Sequence, residues 1–207
     1  NILIGSALVD MYIKCGSFAE AQDVFCDILV RDVFTWNAII SAYVQCGDEE
    51  LKSECFRRMK CEGVLPDAVT YVCILQACGN IGALEKGQQV HVEVVRESLE
   101  KSILVGSALV DMYAKCGTCV KAQKVFDQLH TRDVVTWNAL ILGYAESGKD
   151  EMVLSLFNKM IEEKMKPDVV SFNILLNSCN HCGLVHRGHF WFETMKTCYG
   201  ILPNVGH

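Results

Sequence analysis

With 207 residues, 51% of them hydrophobic and 21% charged, the chain has the material for a packed core and lies outside the composition of disordered segments. Three prolines against fifteen glycines exclude collagen-like and proline-rich chains, and no apolar run reaches the ~18–20 residues that a membrane-spanning helix requires. A formal charge of −6 speaks against a binder of duplex DNA, because such domains are usually basic and bind by releasing phosphate counterions.

From the N-terminus, the segment from Ile2 to Gly16 reads as one apolar helix closed by a glycine, and Ala21, Val24, Phe25 and Ile28 then recur at helical spacing. Asp32 precedes a further apolar helix carrying Ala38, Ile39, Ala42 and Tyr43, which ends at Gly47. Pro66 stops the next segment and Asp67 opens the helix that runs to Gly82. The run Ile103 to Gly117 then repeats Ile2 to Gly16 with changes only at Val105 and Ala114, an offset of 101 residues. The same offset carries Trp36, Asn37 and Ala38 onto Trp137, Asn138 and Ala139, and Pro66 and Asp67 onto Pro167 and Asp168. Met152, Leu156, Phe157 and Met160 form another helical stripe, after Gly148.

Glycines close apolar runs at positions 16, 47, 82, 117, 148 and 183, with spacings of 31, 35, 35, 31 and 35. A glycine there suits the left-handed residue that ends a helix, and Asp32, Asp67, Asp133 and Asp168 suit the N-cap of the helix that follows. Each sub-repeat is therefore expected to be two antiparallel helices, and the chain about a dozen short helices stacked as an α-solenoid. No stretch alternates with period two for long enough to argue for strands. Asn1 is not an initiator methionine and no charged leader or cleavage site follows it. The chain reads as a fragment, with any targeting segment expected outside it.

The wording of the repeat is more specific than its period. Val33-Phe-Thr-Trp-Asn-Ala-Ile-Ile-Ser-Ala-Tyr43, through Phe56-Arg-Arg-Met59, to Pro66-Asp67 resembles the pentatricopeptide repeat consensus, and the alternation of 31- and 35-residue forms resembles the plant subclass with P, L and S variants. The resemblance covers essentially the whole chain. It implies an all-α fold, a right-handed α-solenoid superhelix of antiparallel helix pairs. The units are S 2–32, P 33–67, L 68–102, S 103–133, P 134–168 and a terminal-like L 169–204, with 205–207 opening a truncated following repeat. Lys52, where a small residue is usual, and the lengthening at Gly200 to Asn204 depart from the pattern.

Such a family implies modular recognition of single-stranded RNA, one base per repeat. Counted from the first helical residue, the fifth positions are Ser6, Asn37, Val72, Ser107, Asn138 and Asn173, and the last are Asp32, Asp67, Ser102, Asp133, Asp168 and Asn204. Carried over to these positions, the family's pairing rule implies guanine for Ser6 with Asp32 and for Ser107 with Asp133. It implies uracil for Asn37 with Asp67 and for Asn138 with Asp168, and cytosine for Asn173 with Asn204. Val72 cannot hydrogen-bond a base. The expected ligand is 5'-GUNGU(C)-3', with the chain's N-terminus towards the RNA 5' end. The apolar second positions Leu3, Phe34, Val69, Leu104, Val135 and Val170 are implied to clamp bases from either side. Simpler roles stand beside these: the aspartates as N-caps, Asn37 and Asn138 as caps near helix starts, and the second positions as packing.

Twelve cysteines allow disulfides, a metal site or buried thiols. His91-Val-Glu93 with Cys116-Gly-Thr-Cys119 imitates the H-x-E…C-x-x-C arrangement of zinc nucleobase deaminases. Lys115 stands where that motif has proline, however, and Cys116 has repeat counterparts at Cys15, Cys46 and Cys182, so the reading is rejected. Cys179 and Cys182, with His186 and His189, form a second zinc-like cluster, for which buried thiols at repeat positions are preferred. Met59, Met160 and Met195 are expected in the core.

The resemblance thus implies a non-catalytic module without metal or cofactor. It would be the site-recognition part of an organellar C-to-U RNA editing factor, in a mitochondrion or plastid, with editing cofactor proteins as candidate partners of the L repeats. No membrane or duplex DNA is expected as a partner. A helical-repeat scaffold for protein contacts is the rival reading, and a zinc-dependent cytidine deaminase the third. Lys14 and Lys115 are expected to lend positive charge to the RNA strip, and Glu49, Glu50, Glu162 and Glu163 to lie on second helices away from it.

Overall fold

The computed structural model of the chain describes residues 2–46 and 49–202, apart from the side chains of residues 2, 3, 45, 46 and 49–53. Among the described residues there are twelve helices and no strand. They are α1 (Ile2–Lys14), α2 (Phe18–Asp27), α3 (Val33–Cys46), α4 (Glu49–Cys61), α5 (Ala68–Asn80), α6 (Leu84–Arg96), α7 (Ile103–Lys115), α8 (Cys119–Gln128), α9 (Val134–Glu146), α10 (Asp150–Glu162), α11 (Val169–His181) and α12 (Val185–Tyr199).

The chain divides into two units, Asn1–Val105 and Gly106–His207. In the first, α1 packs on α2 and α3, α3 on α4 and α5, and α5 on α6. In the second, α8 packs on α9, α9 on α10 and α11, and α11 on α12. Within each unit the odd-numbered helices touch, α1 on α3 and α3 on α5 in the first and α9 on α11 in the second, while α2, α4, α6, α10 and α12 each close a pair with the helix before them. Most connections within a pair are short, which makes the helices antiparallel.

Sequence punctuation sets the helix ends. Gly16, Gly82, Gly117, Gly148 and Gly183 adopt φ between +64° and +75°, as expected; Gly47 lies outside the described residues. At the first of these closures Gly16 N–H donates to Ile13 O at 2.9 Å and Ser17 N–H to Tyr12 O at 2.9 Å, the paired bonds that satisfy last-turn carbonyls. The difference between the 31- and 35-residue forms lies in the second helix. The helices α2 and α8 have 10 residues and run out into extended backbone at Ile28 and Leu129. By contrast α4, α6 and α10 have 13. These longer helices are followed by a second left-handed residue, Gly63, Ser98 or Lys164.

Lys164, at φ +61°, pays the steric cost that Gly63 avoids at the equivalent place. Lys164→Gly is therefore expected to raise stability by about 1 kcal/mol, read as a higher urea midpoint. An unchanged or lower midpoint would show that the turn carries no such strain.

Aromatic side chains join successive pairs. Phe25 meets Trp36 edge-on with centroids 4.9 Å apart, Phe126 meets Trp137 at 4.6 Å and Phe157 meets Phe172 at 5.3 Å. Both tryptophans are fully buried, as are the expected core residues Met59, Met160 and Met195. No helix among the described residues is long and apolar enough to cross a membrane.

Candidate nucleic-acid interface

Residues three apart in a helix share a face, so the second and fifth positions of each odd-numbered helix lie one above the other. Phe34, Val69, Leu104, Val135 and Val170 are all between 50% and 72% exposed, which removes the packing role for them. The side chain of Leu3 lies outside the described residues. Five large apolar groups held in water at one register leave unburied area that a flat apolar ligand face would cover at about 25 cal/mol per Å².

The fifth positions carry the polar groups. Asn37 and Asn138 lie inside α3 and α9, beyond the N-caps Asp32 and Asp133, so they are not caps. They reach instead to the aspartate that opens the next odd-numbered helix. Asn37 Nδ2 donates to Asp67 Oδ1 at 3.0 Å and Asn138 Nδ2 to Asp168 Oδ1 at 3.0 Å. From the same next helix, Thr70 Oγ1 donates to Asn37 Oδ1 at 2.5 Å and Ser171 Oγ to Asn138 Oδ1 at 2.6 Å. The expected P-unit pairs are thus brought into direct contact. Asn138 is only 8% exposed, so a base would reach its outer edge alone.

In the units expected as S the fifth position meets its aspartate through an intermediary. Ser6 Oγ lies 2.6 Å from Thr35 Oγ1, which donates to Asp32 Oδ1 at 2.6 Å. Ser107 Oγ lies 2.5 Å from Thr136 Oγ1, which donates to Asp133 Oδ1 at 2.6 Å. All four aspartates are also helix N-caps, since Thr35, Thr70, Thr136 and Ser171 N–H donate to their Oδ1 atoms at 2.8–2.9 Å. Capping and contact with the fifth position are therefore one network, in which every one of these bonds uses Oδ1 and none uses Oδ2.

The network favours the charged form of Asp32, Asp67 and Asp168. Burial pushes Asp67 and Asp168 up, but the backbone N–H of Thr70 or Ser171 and the amide of Asn37 or Asn138 outweigh it and leave both below the usual carboxylate range. In Asp32 the Thr35 hydroxyl is the largest cause of a similar lowering.

The L units differ. Val72 is half-buried and brings no polar atom. Asn173 has its Oδ1 buried without a partner among the described residues, and Asn204 lies outside them.

The hydroxyls Thr35, Thr70, Thr136 and Ser171 were not among the expected site residues. Their signal is a serine or threonine three residues after each repeat-end aspartate, present after Asp32, Asp67, Asp133 and Asp168 and missing after Ser102. Lys14 and Lys115 differ from expectation: each pairs with an aspartate one turn earlier on its own helix, Asp10 at 2.7 Å and Asp111 at 2.8 Å, so the positive charge is locally balanced. Glu163 is not helical but caps α10, where it pairs with Arg132. The side chains of Glu49, Glu50 and Lys52 lie outside the described residues.

The zinc-like arrangements do not converge. Among the described residues no group of three or more His, Cys, Asp or Glu side chains could hold a metal ion. Cys119 is buried and donates to Gly143 O at 3.2 Å, while Glu93 pairs with Lys60. Cys179 and Cys78 are buried as expected, whereas Cys15 and Cys182 are exposed, because the residue before a helix-closing glycine sits where the chain turns out of the core. Asp150 accepts a hydrogen bond from the Cys182 thiol, which pushes that thiol up.

Comparison with known proteins matches this arrangement. A model described as PPR repeat family covers residues 31–80 and 132–181, and one described as PPR repeat covers 6–33, 107–134 and 170–199. Pentatricopeptide repeat-containing protein At2g33680 of Arabidopsis thaliana is 40% identical over 207 residues, which is 100% of this chain and 28% of that protein. Pentatricopeptide repeat-containing protein At3g02330, mitochondrial, of the same plant is 36% identical over 227 residues, 100% of this chain and 25% of that protein. The chain thus spans little more than a quarter of the length of these relatives. Among solved structures, the pentatricopeptide repeat protein PPR10 in complex with an 18-nucleotide psaJ RNA element matches 96% of this chain and 30% of its own, with a TM-score of 0.83 at 22% identity. The crystal structure of the pentatricopeptide repeat protein PPR10 from maize matches 97% of this chain and 30% of its own, with a TM-score of 0.75 at 22% identity. These likenesses establish the fold as an all-α helical-repeat solenoid.

Proposed function

The chain belongs to the PPR repeat family, and on that premise we propose that it binds single-stranded RNA one base per repeat, reading 5'-GUNGU(C)-3' with the chain's N-terminus towards the RNA 5' end. The observation that carries this reading is the joined Asn–Asp pair, which recurs with the same bonds in both P units beside an exposed apolar residue. Stacking on Phe34, Val69, Leu104, Val135 and Val170 supplies affinity that any base can use. The polar pair supplies the choice. An ionised aspartate with Oδ2 outside the network accepts the imino N–H of uracil or guanine and repels the bare ring nitrogen that cytosine or adenine presents there. The neighbouring asparagine or serine then separates uracil from guanine.

On this reading the units follow the PLS pattern, and the chain serves as the site-recognition portion of an organellar C-to-U RNA editing factor, with no chemistry of its own. Two Arabidopsis relatives are described as mitochondrial, which favours that organelle. An editing cofactor protein would meet the L units, where α6 exposes Val92 and Val95.

Fluorescence anisotropy with 5'-GUAGUC-3' and its single-base variants tests the reading. A cytosine at the fifth nucleotide is expected to weaken binding by about 1–3 kcal/mol, and Asn138→Ser to shift the preference at that nucleotide from uracil to guanine. Equal binding of all the RNAs by the native chain, or an unaltered preference after the substitution, sinks the assignment.

A further inference from the structure

We propose that Thr136 and Ser171, with their counterparts Thr35 and Thr70, are positioning residues that fix which hydrogen-bonding groups the fifth-position side chain offers to a base. The inference rests on the one-base-per-repeat reading above and goes beyond it by assigning a third side chain, from the next helix, to each reading pair.

Counting protons carries the argument. An sp² oxygen has two lone pairs and a hydroxyl has one proton. In the second S unit Asp133 Oδ1 receives Thr136 N–H at 2.8 Å and Thr136 Oγ1–H at 2.6 Å, which fills both lone pairs and uses the only hydroxyl proton Thr136 has. In the 2.5 Å contact between Ser107 Oγ and Thr136 Oγ1, Ser107 is therefore the donor. Its own proton is committed inwards, and what it turns outwards is lone pairs. Beside Asp133 Oδ2 this makes two acceptors, which match the N1–H and N2–H of guanine. Adenine presents an acceptor at N1 and is refused.

The P unit runs the same network with the opposite result. Asp168 Oδ1 receives Ser171 N–H at 2.9 Å and Asn138 Nδ2 at 3.0 Å, so its lone pairs are filled without the Ser171 hydroxyl. That hydroxyl gives its proton to Asn138 Oδ1 at 2.6 Å in preference to Asp168 Oδ1 at 2.9 Å. The amide is held at both ends, with one N–H left as a donor for a uracil carbonyl. One conserved cap geometry thus presents an acceptor when serine stands at the fifth position and a donor when asparagine does, and the third-position hydroxyl is what closes the circuit in each case.

Thr136→Val keeps the shape and the backbone N–H that Asp133 caps, but leaves the Ser107 proton free to turn outwards. With the 207-residue chain and fluorescein-labelled RNAs, the ratio of affinities for 5'-GUAGUC-3' over 5'-GUAAUC-3' is expected to fall about tenfold in this variant, to return in Thr136→Ser, and to leave the uracil preference at the fifth nucleotide unchanged. Ser171→Ala is expected to lower the uracil-over-cytosine ratio at the fifth nucleotide, with Ser171→Thr retaining it. A purely structural role would weaken every RNA alike and leave the ratios where they were. Native-like ratios in both variants overturn the proposal while the base code stands, and a native chain without base preference overturns the code and this inference with it. If Thr136→Val lowers the melting temperature so far that the chain unfolds, the Ser171 pair decides.

Discussion

Trp137→Ala is expected to remove about 3–5 kcal/mol of stability, among the largest losses that a single truncation in this chain can produce. Trp137 is 0% exposed and stands where α8 meets α9, its indole edge-on to Phe126 at 4.6 Å. The contact joins one repeat to the next, and in a stacked array neighbour interfaces supply most of the stability that a single helix pair lacks. Removing the indole deletes the aromatic pair and opens a cavity that the flanking helices cannot close without giving up their own contacts. Trp137→Phe sharpens the test. The Trp137 Nε1 atom is buried without a hydrogen-bond partner among the described residues, a condition that costs about 1–3 kcal/mol. Phenylalanine gives up area but also that cost, so its loss should be well under half that of alanine. Urea unfolding measures both. A loss below 1 kcal/mol for Trp137→Ala would mean that Phe126 and Trp137 do not form the inter-repeat core.

The repeat was legible in the sequence because its punctuation is chemical. A glycine is needed where φ is near +70°, and an aspartate is favoured where the first N–H groups of a helix lack partners, so Gly117 and Asp133 mark helix ends without any tertiary information. The hydrogen-bonded pairs were legible as a register, through Asn37 with Asp67 and Asn138 with Asp168.

The exposure of Phe34 and Val135 was not. Odd-numbered helices such as α9 are apolar nearly all round, so periodicity cannot separate the face that packs from the face left in water. The third-position hydroxyls were hidden for a different reason. A threonine three residues after an N-cap is fully explained by capping, and only the distances from Thr136 to Ser107 and from Ser171 to Asn138 show the second bond. Lys14 and Lys115 were misread because a net charge counted along the chain ignores i,i+4 pairing. Both lysines face an aspartate one turn back, and the pairs cancel.

Arg132 gave no motif at all, yet Arg132→Ala is expected to cost about 2–3 kcal/mol. The helix α8 stops after 10 residues with no left-handed closing residue, and its last turn is closed by Leu129 N–H donating to Phe126 O at 3.2 Å. Arg132 adds to this closure. Its Nε donates to Phe126 O at 3.0 Å and its Nη2 to Asp127 O at 3.4 Å, while the guanidinium lies 4.6 Å from the centre of the Phe126 ring. Its Nη1 reaches Glu163 at the end of α10, 3.2 Å away. Arg31 repeats the device on Phe25, Cys26 and Glu62, which argues that the short second helix requires it. The carbonyl bonds dominate because they are made by a charged donor, whereas a partly exposed ion pair contributes only about 0–1 kcal/mol. Arg132→Lys keeps the charge but loses the planar fork, and should recover less than half of the loss. Glu163→Gln separates the two contributions and should cost under about 1 kcal/mol. Equal losses for Glu163→Gln and Arg132→Ala would place the stabilisation in the ion pair and remove the explanation of how a 31-residue repeat ends its second helix.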